Sequence, residues 1–401
     1  MPGHSLYLGT VTAAIALFIA VGAGYLAAHV AFEWLGRRFL VVSGAEYLVL
    51  GILLGPHVSG ILGASLVTQL DPVLTLAIAW IGLTVGTQFE LNRLVATPAR
   101  DFRIGFSTSV LTFVVVVGLE LAAVHLGGIT NDLDALIVAS GLGVVAVSSS
   151  DAGFSLLTNV AGTAGRLFDQ LRVSTMLSSL VAITLLALLL CWVHVPTPLS
   201  RPLTTTEWAV VSIAIGALGG TLFHAFLGET PERDRLFVAL VGGIVMVSGA
   251  ATYLDLSPLL SSLCFGLVLV NTTSSPQELV ATLTRVARPF YFVLLIFAGA
   301  AWQPVLPTWI LPIALFVVAR VAVTVGGARL VARANGTLQE FGDDWGIALI
   351  GQGRVALALG LSYLRQGHLP GRDAVFTAAI LSVLLTEFLS ARAIRSVLVR
   401  A

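Results

Sequence analysis

Long apolar stretches separated by short polar loops make up almost the whole chain. A helix needs about 17 to 25 apolar residues to cross a bilayer, and thirteen stretches have about that length. They cover residues 7–35, 44–63, 71–91, 104–126, 131–158, 171–195, 206–227, 236–254, 257–273, 287–303, 306–332, 344–365 and 373–399. The pattern predicts an all-α polytopic membrane protein, surrounded by the lipid bilayer and forming a single domain over residues 1–401.

Two of these segments are interrupted near their middle. The fifth contains Ser-Ser-Ser-Asp-Ala-Gly at 148–153, and the twelfth contains Gly-Gln-Gly-Arg at 351–354. A charged residue at membrane depth is expensive and marks a functional site by default. Irregular backbone survives there only where protein or a cavity satisfies its polar groups. Two breaks at matching positions of two halves predict the substrate site of a secondary transporter.

Composition agrees with a protein that lies almost entirely in the membrane. The chain is 57% hydrophobic and 10% charged, against about 25% charged residues in soluble domains. Its net charge of zero says nothing about nucleic acid, because the charges lie in short loops. No nucleic-acid partner is expected of a chain that lies almost entirely in the membrane. All 21 basic residues are arginine, so any buried cation is a permanently charged guanidinium.

The distribution of arginine predicts how the chain is oriented. Sixteen of the 21 arginines fall in loops after odd-numbered segments or in the C-terminal tail, whereas three fall in the opposite loops. The other two, Arg320 and Arg354, lie within segments. Because cytoplasmic loops collect positive charge, we expect a cell-membrane protein with its N-terminus outside and its C-terminus in the cytoplasm.

An odd number of segments with termini on opposite sides suits two inverted repeats of six helices. Repeat one would span about 7–195, a linker helix about 206–227, and repeat two about 236–399. The fifth helix of each repeat is then segment five or segment twelve. These are the two interrupted segments, so the sequence predicts that they cross each other at mid-membrane.

Three motifs resemble those of a known transporter family. The run EYLVLGILLGP from Glu46 to Pro56 resembles the second-helix signature of monovalent cation:proton antiporters of the Kef-type group. The stretch from Ile81 to Leu91 is similar to the end of the next helix, and LCFGLVL at 263–269 resembles a further family helix. The resemblance covers nearly all of the chain and implies a sodium/proton-exchanger-like fold.

The resemblance also implies an ion site, from which this chain departs. The family's helix-five break, often Thr-Asp-Pro, matches Ser150-Asp151-Ala152, so the acid is present and the proline is not. The family's acidic pair in helix six falls on Ser178 and Ser179. The chain therefore resembles a divergent member in which two hydroxyls replace the pair that holds the ion or proton.

Two cations complete the implied site. The basic residue of helix eleven matches Arg320, and the family's Arg-Gly-Glu in helix twelve reads Gln352-Gly353-Arg354 here, with a base replacing an acid. Facing half-helix ends carry opposed partial charges. We expect Arg320 and Arg354 to compensate charge at the crossing, with direct substrate contact as the less favoured alternative.

Cation/proton exchange needs a group that carries either ion in turn. A desolvated carboxylate does this, and Asp151 is the leading candidate. Oxygens of Ser149, Ser150, Ser178 and Ser179 would help to ligate the cation. Structural roles are the alternatives. Asp151 would then form an ion pair with a nearby arginine that only stabilises the helix crossing, and Ser178 and Ser179 would be small packing residues of a membrane helix. With few exchangeable carboxylates, coupling should be weaker than the family pattern implies.

Two further acids lie inside apolar segments. Glu387 in segment thirteen is a candidate proton relay, or the partner of an interior arginine. Glu120 lies near the outer end of segment four, where a water-facing position and a relay role are both open.

Three functions remain open on this reading. The first is a secondary transporter that exchanges Na⁺ or K⁺ for protons, expected as a homodimer. The second is transport of an anion or small organic solute, since Asp151, Arg320 and Arg354 carry a net positive charge. The third is a sensor or accessory subunit that no longer transports. No nucleophile–base pair, phosphate loop or metal cluster is evident, so neither enzymatic activity nor a cofactor is expected.

Overall fold

The computed structural model describes residues 44–129, 131–150, 166–194, 203–227 and 233–400. The regular structure within these ranges is helical. The α-helices are α1 (Ala45–Leu54), α2 (Ala64–Gln69), α3 (Asp71–Gly86), α4 (Leu91–Ala96), α5 (Ala99–Leu126), α6 (Asp132–Val147), α7 (Arg166–Trp192), α8 (Thr205–Leu227), α9 (Arg233–Tyr253), α10 (Pro258–Thr272), α11 (Pro276–Ala300), α12 (Ile310–Ala334), α13 (Leu338–Phe341), α14 (Arg354–Arg365) and α15 (Arg372–Arg400). Two short 3₁₀ helices cover Pro307–Trp309 and Trp345–Leu349.

Five helical spans in the described ranges are long and apolar enough to cross a membrane on their own. They are Ala99–Leu126, Arg166–Trp192, Thr205–Phe226, Leu236–Tyr253 and Pro307–Ala334. The expected all-α membrane fold is confirmed. Segment one falls outside the described residues, and the count of thirteen stays a prediction.

Two predicted segments had the wrong ends. The second was expected over 44–63, but α1 stops at Leu54, where Gly55 and Pro56 follow and disfavour a further turn. The tenth was expected to begin at 287, but α11 begins at Pro276. Charged residues in its first turns hid that start from an apolar count.

The helices form two groups. α5, α6, α7, α12, α14 and α15 pack together with the second 3₁₀ helix, and we call this group the core. α1, α3, α8, α9, α10 and α11 pack together beside it, and we call this group the scaffold. Membrane helices approach closely where small residues meet, and the scaffold shows this most clearly.

The α1–α11 pair is built on two glycines. A Cβ added to Gly51 would lie 2.1 Å from the carbonyl oxygen of Ile296, and one added to Gly299 would lie 2.2 Å from that of Leu48. Each glycine therefore faces the carbonyl three residues before the glycine of the other helix. No residue larger than glycine fits either position without separating the helices.

The α3–α10 pair repeats this arrangement. A Cβ on Gly86 would lie 2.1 Å from the oxygen of Leu263, and one on Gly266 would lie 2.4 Å from that of Leu83. The offset of three residues is the same. Two inverted repeats predict such a pair of equivalent contacts, which supports the repeat assignment, although the repeat boundaries stay a prediction.

Candidate functional site

The first interruption begins where α6 ends. α6 stops at Val147, and Ser148 takes an extended conformation with its hydroxyl donating to the Val145 carbonyl at 2.9 Å. Residues 148–150 are not helical. Ser148 thereby supplies a hydrogen-bond donor to the Val145 carbonyl, one of the last four carbonyls of α6, which have no partner within the helix.

The second interruption separates a 3₁₀ helix from α14. The 3₁₀ helix ends at Leu349, and α14 begins at Arg354 after an extended Gly353. A Cβ on Gly353 would lie 2.8 Å from the hydroxyl oxygen of Ser150. Glycine here lets the two interruptions come together.

The two interruptions meet through their backbones. The N–H of Ser150 donates to the carbonyl oxygen of Gly351 at 2.8 Å. The close approach predicted for segments five and twelve is therefore observed. We call the described residues 148–150 and 350–353 the crossing.

Arg320 joins the two interrupted helices at their carbonyl ends. Its side chain is fully buried in α12. One terminal nitrogen donates to the Ile350 carbonyl at 2.6 Å and the other to the Ser148 carbonyl at 3.1 Å. Helix C-termini carry partial negative charge, and the planar guanidinium presents two parallel donors that an ammonium lacks. Arg320 thus neutralises both carbonyl ends at once.

Hydroxyls of α7 line the other side of the crossing. The Ser178 oxygen accepts a hydrogen bond from the Ser149 N–H at 3.2 Å. Both Ser178 and Ser179 donate to the Thr175 carbonyl, at 2.8 and 3.1 Å. Their oxygens therefore keep lone pairs for a ligand while their protons are engaged.

α15 supplies a matching hydroxyl to the second interruption. The Thr386 oxygen accepts from the Gln352 N–H at 3.2 Å, and Thr386 is buried. Gln352 also donates to the Val145 carbonyl at 2.6 Å. Ser178 and Thr386 thus play the same part for the two interruptions, as two inverted repeats would require. Sequence reasoning missed Thr175 and Thr386 as site residues, because each is an ordinary small residue within an apolar run.

A cavity of about 20 Å³ opens at the crossing. A single water needs roughly 10–15 Å³ on such a measure, so the cavity is large enough for one water or one small dehydrated ion. It is lined by Val85, Gln88, Ser149, Ser150, Thr175, Ser179, Gly353, Arg354 and Val355.

A second, larger cavity lies toward the opposite end of α3. It has a volume of about 750 Å³, and Asp71 and Arg365 in its wall form an ion pair at 2.5 Å. Asp71 is the first residue of α3, whereas Val85 and Gln88 of the small cavity lie at the far end of that helix. We call the larger cavity the vestibule. The ion pair joins scaffold to core across its wall.

The crossing brings together most of the residues expected at the site. Ser149, Ser150, Ser179 and Arg354 line the small cavity, and Ser178 bonds to the lining residue Ser149. Arg320 bonds to Ile350 and Ser148 of the crossing. Asp151 lies outside the described residues. Glu387 belongs to α15 directly after Thr386, but its side chain is likewise outside what the structure describes.

The sequence left two positions open for Glu120, and the structure excludes one of them. It lies in α5, is fully buried, and lines neither cavity. The water-facing alternative for this residue was wrong, since its side chain is fully buried in a helix that packs against α6, α7 and α12. Among the described residues, no three His, Cys, Asp or Glu side chains come together as a metal site.

A core in which two interrupted segments meet at a polar crossing, beside a close-packed scaffold, is typical of secondary transporters. The family model for the sodium/hydrogen exchanger transmembrane domain matches residues 46–400. The chain belongs to this family. It is thus a multi-pass membrane protein of a cation:proton antiporter family, and not an enzyme. The resemblance to such antiporters noted in the sequence is confirmed.

Individual relatives agree with this assignment. The ammonium/H⁺ antiporter subunit AmhT of Alkalihalophilus pseudofirmus is 24% identical over 352 residues, covering 85% of this chain and 86% of that protein. The sodium proton antiporter MjNhaP1 from Methanocaldococcus jannaschii at pH 8 superposes with a TM-score of 0.70 at 13% identity, covering 97% of this chain and 99% of that one. An electron-microscopy structure of MjNhaP1 gives 0.65 at 14% identity, covering 94% and 95%. At these identities the two structures show the fold alone.

Proposed function

We propose that this protein exchanges a monovalent cation, Na⁺ or K⁺, for a proton, and that the crossing is where the ions bind. The observation that carries the proposal is the small cavity, which is lined by Ser149, Ser150 and Ser179, each with oxygen atoms to offer. Oxygen atoms are the ligands that hard cations such as these take. The cavity is also small enough to require that the ion shed its water.

Arg320 stabilises the crossing and does not take part in binding the cation. Its two terminal nitrogens are committed to the carbonyls of Ile350 and Ser148. Those carbonyls lie at the ends of the two interrupted segments, so Arg320 occupies them and joins the two ends. The cation is left to the hydroxyl side, toward α7.

A carboxylate must carry the exchanged charge, because hydroxyls stay neutral. We propose Asp151, the residue that follows Ser150, for this role, with Ser149, Ser150, Ser178 and Ser179 as neutral ligands. One carboxylate holds either one cation or one proton, so the loaded site has the same charge in both states. Exchange at Asp151 alone would therefore be one-for-one and electroneutral.

Alternating access would come from movement of the core against the scaffold. The small cavity and the vestibule lie toward opposite ends of α3. The Asp71–Arg365 ion pair spans the two groups at the vestibule. We propose that this pair separates or exchanges partners when the core moves, so that the crossing faces one side at a time.

The surroundings of the protein are proposed from the sequence. The arginine distribution places the C-terminus in the cytoplasm and the N-terminus outside, in the cell membrane. We also propose a homodimer that forms through the scaffold, because the core then stays free to move.

Arg354 and Glu387 keep their proposed roles: Arg354 compensates charge at the crossing, and Glu387 is a candidate proton relay.

Purified protein in proteoliposomes tests the proposed function. Proton flux is followed with a lumenal dye after addition of Na⁺, K⁺ or NH₄⁺, with choline as the control. Ammonium is included because the relative AmhT is an ammonium/H⁺ antiporter subunit. Cation-dependent flux supports antiport. Anion-driven uptake without it would favour an anion or organic-solute transporter, and no flux with any ion would favour a non-transporting subunit.

A further inference from the structure

The small cavity lies between the core and the scaffold, and Gln88 is the polar side chain that the scaffold presents to it. Two scaffold residues line this cavity, Val85 near the end of α3 and Gln88 just after it. The other described lining residues belong to the crossing, α7 and α14. Gln88 is half-buried, and its side-chain amide has no hydrogen-bond partner in the part of the chain that the structure describes. That amide can therefore bind what enters the cavity.

The backbone around Gln88 is fixed to α10. Two residues before it, Gly86 makes the close contact with α10 described above. On its other side, the Asn271 side chain in α10 donates to the Phe89 carbonyl at 3.0 Å and accepts from the Leu91 N–H at 2.7 Å. The side chain of Gln88 is thus attached at a set place on the scaffold.

Gln88 would be a neutral ligand. Glu90, the acid nearest to it in the chain, pairs with Arg93 at 2.7 Å and does not line the cavity. An amide oxygen adds no charge to the site. The electroneutral exchange proposed for Asp151 is therefore not altered by a contact with Gln88.

The chemistry of Gln88 matches that of the opposite wall. A dehydrated cation needs oxygen atoms in place of the water that it has lost. The core lines the cavity with four hydroxyl residues, Ser149, Ser150, Thr175 and Ser179. The Thr175 hydroxyl donates its proton to a backbone carbonyl of α7 at 3.0 Å, so its oxygen keeps lone pairs for a ligand. On the scaffold side, the amide oxygen of Gln88 is the corresponding group.

We propose that Gln88 completes the cation site in the conformation described, with its amide oxygen binding the ion opposite the hydroxyls of the core. The inference rests on the proposed antiport. Because the ion moves with the core, it leaves Gln88 behind when the core moves against the scaffold. The cation is therefore bound more tightly here than in the alternate conformation. A ligand favours the conformation that binds it better, so cation binding favours the one in which the crossing lies beside the C-terminal end of α3.

Thermal unfolding in detergent, with Na⁺ or K⁺ titrated against choline, is the first test. Gln88→Met keeps an unbranched side chain of similar length and removes the amide. The cation concentration that gives half of the rise in unfolding temperature should increase about tenfold, as expected when a polar contact to a charged group is lost. In choline alone the variant should unfold at the wild-type temperature. Gln303→Met is the matched control, because Gln303 follows α11 in the scaffold and lines the vestibule instead; both values should stay at wild type.

Gln88→Glu separates a cation from an anion as the ligand. A carboxylate keeps an oxygen at this place and adds negative charge, but it loses the N–H donors that an anion would use. Na⁺ or K⁺ should therefore bind Gln88→Glu at least as tightly as wild type. A cation affinity reduced as far as in Gln88→Met would contradict the proposed contact.

Transport from each face of the membrane gives a readout that a purely structural role would not move. In everted and right-side-out membrane vesicles, Gln88→Met should raise the half-saturating cation concentration about tenfold at the face nearer to the C-terminal end of α3. At the other face the value should change little, since the alternate conformation lacks this contact.

Three further results would overturn the proposal: an unchanged half-effective cation concentration in Gln88→Met, a lower unfolding temperature of that variant in choline alone, or equal shifts at both faces. A wild type with neither cation-dependent stabilisation nor cation-driven flux would refute the proposed function itself, and Gln88 would then have no cation to bind.

Discussion

The backbone N–H of Ser150 donates to the carbonyl oxygen of Gly351 at 2.8 Å, although the two residues are 201 positions apart in the sequence. This hydrogen bond joins two interrupted helices in the interior of the core. Arg320 completes the junction from α12 by holding a carbonyl of each. The ion site proposed here depends on this junction, because it positions the oxygens that line the small cavity.

Replacing Arg320 should destabilise the protein. Arg320→Gln leaves the carbonyls of Ser148 and Ile350 without a charged donor, and we expect the free energy of unfolding to fall by about 3 kcal/mol. Arg320→Lys should recover only part of this, since one ammonium cannot reproduce the fork. Thermal unfolding in detergent measures the effect. Arg329→Gln is the control: it lies in the same helix, pairs with Asp343, and is 43% exposed, so its loss should cost under about 1 kcal/mol. Equal stability of the two variants would contradict the role given to Arg320.

The glycine contacts of the scaffold make a second prediction. Gly86→Ala would put a methyl group 2.1 Å from the Leu263 oxygen, and such overpacking should cost about 1–3 kcal/mol. Gly249→Ala in α9 is the control, because nothing lies within 4 Å of a Cβ there. It should be neutral or slightly stabilising, since alanine favours helix over glycine. If Gly86→Ala unfolds at the wild-type temperature, α3 and α10 do not pack as described.

Much of this architecture was predictable from the sequence, for physical reasons. The two interruptions stood out because polar residues are costly inside apolar segments, and Arg320 stood out for the same reason. The positions of Ser178 and Ser179 followed from the family resemblance. Glu120 could not be placed, because distance from a helix end does not tell which face of α5 is covered. Thr386 could not be found at all, because a hydroxyl in an apolar helix gives no sign of what it faces.

An acid at position 179 of α7, where the family resemblance implies an acidic pair, should strengthen exchange. Ser179→Asp places a carboxylate in the wall of the small cavity, where it can share a proton or cation with Asp151. Two carboxylates at one site favour retention of a proton by one of them. Cation-driven proton flux should rise above wild type, with Ser179→Asn as the uncharged control. An unchanged flux in Ser179→Asp would show that Ser179 does not face the ion.

The proposed orientation has its own test. Reporter fusions after Arg103 and after Ala401 should both report a cytoplasmic location, because both positions lie on the arginine-rich side. A fusion after Arg201 should report the outside, since its loop belongs to the arginine-poor side. An external signal from either of the first two would overturn the inverted-repeat topology.

Proton flux in proteoliposomes that carry wild type or Asp151→Asn tests the central proposal most directly. The account predicts proton efflux on addition of Na⁺ or K⁺ to wild type, slow but above the choline control. In Asp151→Asn this flux should fall to the level of empty liposomes. Cation-driven flux that persists at the wild-type rate in Asp151→Asn would contradict an exchange site at the crossing.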